Sequence, residues 1–141
     1  ADKGHLSIDY RCTTAEEIDV RERFDIVLAM EVIEHVTDVG AFLPRCAAIL
    51  KPGGLMVVSA LNRNWQSFAL AIVGAEYVLR WLPRGTHQWD KFVTPDELAQ
   101  HLAHNKLAIT EQAGVVYSPL ADKWSISADM DVNYMVVAEG M

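Results

Sequence analysis

Two apolar runs, Phe24 to Met30 (FDIVLAM) and Leu55 to Leu61 (LMVVSAL), flank one stretch that suits a helix. Runs this uniformly apolar and rich in branched residues are expected of strands buried on both faces, as in parallel sheets. Asp38 offers a side-chain cap for a helix reaching about Leu50, with Phe42, Cys46, Ile49 and Leu50 on one side. Pro44 lies inside that stretch and has no N–H for the Gly40 carbonyl, so the spacing predicts a kink or a start near Leu43. Lys51-Pro52-Gly53-Gly54 then ends the helix. Strand, helix, turn and strand in this order make a parallel crossover, and the class is α/β.

The remaining elements are shorter. Leu6 to Tyr10 alternates apolar and polar residues and predicts a short strand; Thr13 to Glu17 predicts a brief helical turn. Thr94-Pro95-Asp96-Glu97 opens a helix to about His104, with a hydroxyl cap, proline in the first turn and acids at the positive end. Leu107 to Tyr117 and Asp131 to Glu139 are expected to form a final antiparallel pair, joined by a loop holding Pro119 and Trp124. Trp124 would line an entrance or close the core, and His101 and His104 would be solvated. At 141 residues and 51% hydrophobic composition, one core and one domain are expected. The net charge of −7 disfavours nucleic acid as a partner. Cys12 and Cys46 show no metal-binding spacing and suit free thiols in a reducing compartment. The polar start lacks a signal peptide, and its first residue is not Met, so an upstream portion is expected.

The chemistry concentrates just after the first apolar run. Glu31, Glu34 and His35 follow Met30, where open parallel sheets place their ligands. If this stretch turns helically, the three share a face. Two carboxylates and an imidazole there would hold a divalent ion or pair a base with its orienting acid. The alternative is that His35 caps the next helix and the glutamates are solvated.

These residues, with Phe24-Asp25-Ile26-Val27 and Leu50-Lys51-Pro52-Gly53-Gly54, are similar to the middle motifs of class I methyltransferases, whose sheet is Rossmann-like. Leu61-Asn62-Arg63-Asn64, Val73-Gly74-Ala75-Glu76-Tyr77, Pro83-Arg84-Gly85-Thr86-His87 and Asp131-Val132-Asn133-Tyr134-Met135 narrow the resemblance to the ubiquinone biosynthesis O-methyltransferase family. The resemblance runs from about Ile8 to Val137. It implies S-adenosylmethionine as cofactor, touched by Met30 and by the Thr14-Ala15-Glu16 loop. It also implies Glu31, Glu34 and His35 as ligands of a divalent cation such as Mg²⁺. Glu34 and His35 are equally candidates for proton transfer, with His87 beside the acceptor.

The family's glycine-rich cofactor loop and its ribose-holding acid would lie before Ile8, and no GxGxG occurs in the chain. One partial domain over 1–141 is therefore expected, inactive by itself. Within it, 62–91 forms an apolar insertion with Arg63, Arg80, Arg84 and Lys91 against Glu76 and Asp90. Residues 65–82 are apolar around most of a helix and flanked by Trp65 and Trp81, which suits lying in a membrane surface. The expected function is O-methylation of a catechol-type hydroxyl on a polyprenylated phenolic precursor. The expected setting is cytoplasmic, peripheral to the inner membrane, or the matrix side in a mitochondrion. Self-association through an unpaired apolar edge is also expected. The alternatives are methyl transfer to another small molecule, at oxygen or carbon, and an inactive membrane-docked binding module.

Overall fold

The computed structural model of the chain describes residues 7–64, 91–118 and 122–141. The strands are β1 (Phe24–Met30), β2 (Leu50–Leu61), β3 (Leu107–Ser118), β4 (Lys123–Ser127) and β5 (Asn133–Gly140). The helices are α1 (Val39–Ala48) and α2 (Pro95–His104), preceded by a 3₁₀ turn at Ala15–Glu17. One sheet takes the order β1-β2-β5-β3-β4. β1 and β2 run parallel, with Met30 opposite Ser59, as the crossover requires. The last strand, β5, enters antiparallel between β2 and β3.

The expected helix starts are met. Asp38 caps α1 by accepting from the Ala41 N–H, and Pro44 is accommodated inside the helix rather than delaying its start to Leu43. Thr94 and Glu97 form a reciprocal capping box at α2. At the 3₁₀ turn the Thr14 N–H donates to Glu17 Oε2 at 3.0 Å, and the Glu17 N–H donates to the Thr14 carbonyl at 3.2 Å. β2 begins at Leu50, earlier than Leu55, because Lys51-Pro52-Gly53-Gly54 forms an irregularity within the strand. Gly53 takes φ +70° there, a conformation that disfavours a side chain.

α1 and α2 cover one face of the sheet. Ala29, Met56, Val58, Tyr134, Val136 and Ala138 point into that core, together with Leu43, Leu98 and Leu102 from the helices. Tyr134 donates its hydroxyl to the Val93 carbonyl at 2.8 Å, fixing the approach to α2.

Four expectations are corrected. β1 is not buried on both faces: Ala29 is covered, but Ile26 and Leu28 are 57% and 65% exposed. Among the described residues β1 lies at the edge of the sheet, and no helix packs on that second face. Residues 7–10 form no strand, since alternation stabilises a strand only where a neighbour accepts its backbone. Trp124 belongs to β4 rather than to a loop; it lies opposite Tyr117, with ring centroids 5.1 Å apart. His101 is half-buried rather than solvated. The insertion at 65–82, His87 and Pro119 lie outside the described residues.

Candidate functional site

The chain leaves β1 through a left-handed residue. Glu31 has φ +51°, uncommon for a residue with a side chain. Its N–H donates to the Ser59 carbonyl at 3.2 Å and to Ser59 Oγ at 2.9 Å. Ser59 Oγ in turn donates to Glu31 Oε1 at 2.8 Å. The carboxylate of Glu31 is thus tied to the end of β2. A single tight turn follows, in which the His35 N–H donates to the Val32 carbonyl at 2.9 Å.

That turn is not a helix, so the expected shared face does not form. Ile33 and Glu34 go inward, 1% and 4% exposed, while Glu31 and His35 face solvent. Ile33 anchors the turn in the core. Among the described residues, no three His, Cys, Asp or Glu side chains converge to hold a cation. Within the trio, Glu31 and Glu34 are close enough to interact, while His35 is exposed.

What the structure does bring together is a carboxyl pair. Burial pushes Glu34 up to about 7; hydrogen bonding from the backbone opposes this, while the charge of Glu31 and a shared hydrogen bond with it reinforce it. Glu34 Oε2 is buried without a partner. Tyr134 is also pushed upward, by burial first and then by nearby carboxylates including Glu34.

Beside the turn, a cavity of about 350 Å³ opens between residues 33–39 and α2. Its walls include Ile33, Val36, Val39, Arg63, Lys91 and His101. Arg63 pairs with Glu97 and donates to the Phe92 carbonyl at 3.2 Å, bracing the end of β2 against α2.

On the other side of α1, Arg45 donates to the carbonyls of Glu16 and Ile18 at 2.7 and 3.0 Å. It holds the Thr14-Ala15-Glu16 segment against the helix. Met30, at the end of β1, is 41% exposed. Ser59 is absent from the residues that the sequence singles out; its signal is a lone hydroxyl in an otherwise apolar strand.

Comparison with known proteins agrees with this architecture. Residues 5–112 match the family model described as "Methyltransferase domain". A Bradyrhizobium sp. (strain ORS 278) protein named "Ubiquinone biosynthesis O-methyltransferase" is 82% identical over the whole chain, which covers 56% of that relative. A Rhodopseudomonas palustris (strain BisB18) protein of the same name is 84% identical over 139 residues, covering 99% of this chain and 55% of that relative. The chain thus spans about half the length of these relatives. Among solved structures, an S-adenosylmethionine-dependent methyltransferase from Clostridium acetobutylicum matches with TM-score 0.63 at 10% identity, covering 99% of this chain and 67% of the other. Magnesium protoporphyrin IX methyltransferase from Synechocystis matches at 0.60 and 11%, covering 92% and 49%. These two share the fold.

Proposed function

Because the chain belongs to the methyltransferase-domain family, we propose that it is the acceptor-activating part of an S-adenosylmethionine-dependent O-methyltransferase. The acceptor is a catechol-type hydroxyl on a polyprenylated ubiquinone precursor, the reading favoured by the names of relatives 82% and 84% identical. The single observation that carries it is the Glu31 carboxylate tied by Ser59 at the end of the parallel strands, with Glu34 buried behind it.

When bound, S-adenosylmethionine supplies a sulfonium methyl group already activated for transfer. In this proposal the exposed side chain of Met30 and the braced Thr14-Ala15-Glu16 segment would contact that cofactor. This chain's other task is to orient the acceptor and take its proton. A phenol, with a pKa of about 10, is a poor nucleophile at neutral pH. Glu31 accepts the hydroxyl proton, and Glu34, with its raised affinity for protons, lets the pair retain it. The phenolate oxygen forms the new bond to carbon. His35, exposed beside the pair, is a second proton acceptor in this proposal; His87, outside the described residues, is kept as a candidate for the head group on sequence alone.

The cavity beside Ile33, lined by apolar side chains together with Lys91, His101 and the Arg63–Glu97 ion pair, supports an acceptor site there. The test is methyl transfer to a prenylated catechol. It uses a chimera carrying this chain in place of the matching 56% of the Bradyrhizobium relative. Transfer from S-adenosylmethionine to the catechol oxygen is expected; transfer only to carbon would favour the other small-molecule reading.

The proposal includes a membrane surface. No helix among the described residues is long and apolar enough to cross a membrane. The sequence of 65–82 instead supports interfacial docking. Vesicles with anionic lipid should retain the protein, and replacing Trp65, Phe68 and Trp81 by Ser should release most of it. Unchanged retention would remove the docking role. The exposed Ile26, Leu28 and Met30 also support self-association of this chain. Sedimentation should show concentration-dependent assembly that Leu28→Lys weakens; a monomer at all concentrations counts against it.

A further inference from the structure

We infer that Ser59 is a positioning residue for the transfer step, acting through Glu31; the inference rests on the role given to Glu31 above. Three contacts meet at this serine. Its carbonyl and Oγ both accept from the Glu31 N–H, at 3.2 and 2.9 Å. Its single hydroxyl hydrogen goes to Glu31 Oε1, at 2.8 Å. Glu31 is held at φ +51° by these bonds, and its carboxylate is fixed by the last of them. A free glutamate on an exposed turn samples many rotamers; this one has one oxygen fastened by the Ser59 hydroxyl.

The arrangement separates positioning from folding. With Ser59→Ala, the Glu31 N–H keeps the residue 59 carbonyl, so the turn retains a backbone bond. The carboxylate loses its tether to the end of β2. Ser59 is 3% exposed and lies opposite Met30 at the end of β1, so it acts on the reaction only through Glu31.

The test uses the chimera described above, with S-adenosylmethionine and a prenylated catechol, and turnover normalised to folded protein. Ser59→Ala should lower kcat roughly 10- to 100-fold, with KM changed less than about threefold. Ser59→Thr, which keeps the hydroxyl, should restore most of the loss. In a Glu31→Ala background, Ser59→Ala should have an effect below about twofold, since its target is gone. The same loss in both backgrounds, a change confined to KM, or a folded Ser59→Thr without rescue overturns the inference. If Glu31→Ala alone leaves kcat unchanged, the role proposed for Glu31 fails, and this inference with it. If Glu31→Ala lowers kcat but Ser59→Ala does not, only the inference fails.

Discussion

Substituting alanine for Gly114 should remove a large share of the chain's stability. Gly114 is buried in β3, paired with Ser127 of β4 and Tyr134 of β5. A Cβ at this position would stand 1.5 Å from the Asp129 carbonyl oxygen and 2.3 Å from its carbon. The obstacle is backbone, and that backbone is pinned. Asp129 donates its N–H to Ser127 Oγ at 3.0 Å, and Asn62 Nδ2 donates to the Met130 carbonyl at 3.0 Å. Relief therefore requires shifting either the strand or the whole 128–132 connection. Overpacking of this kind costs about 2–3 kcal/mol, or on the order of 10 °C in the melting midpoint for a chain this size. A calorimetric or circular-dichroism melt checks it; a midpoint within about 2 °C of the parent chain would contradict the packing at Gly114.

The second large effect belongs to Glu34. Glu34→Gln keeps the shape of the buried side chain but removes the carboxyl that would exchange a proton with Glu31 in the proposed mechanism. In the chimera, kcat should fall roughly 100-fold or more, while the affinity for S-adenosylmethionine measured by calorimetry stays within about twofold. Stability should respond as well. Glu34 holds its proton more tightly in the folded chain, about 7 against an ordinary 4.5. Its stabilising contribution is therefore full below about pH 4.5 and is lost as pH rises through about 7. Gln has no such proton, so the variant should lose this part of the decline between roughly pH 5 and 8. Equal turnover in both proteins, with identical pH–stability profiles, would remove Glu34 from the chemistry and from the linkage alike.

The parts legible in the sequence are those governed by neighbours in the chain. Asp38, Thr94 and Glu97 cap helices through hydrogen bonds between residues one turn apart, so their spacing reveals them. The crossover from β1 to β2 follows from the order of apolar runs. Coverage of a strand is another matter: FDIVLAM has the same composition whether one face or two are packed, and only the sheet order shows β1 at an edge among the described residues. The turn after Met30 departs from expectation for a related reason. Spacing places Glu31, Glu34 and His35 on one side only if the backbone is helical, whereas Glu31 is left-handed. Ser59 partners Glu31 across 28 positions, a distance at which local pattern carries no information.

The place of β5 has a consequence for synthesis. Residues 133–140 are translated after the other described strands, yet they bond to both β2 and β3. Until they emerge from the ribosome, each of those strands presents an open backbone edge to its surroundings. The nascent chain must therefore wait, with its middle unfilled, for this strand to arrive.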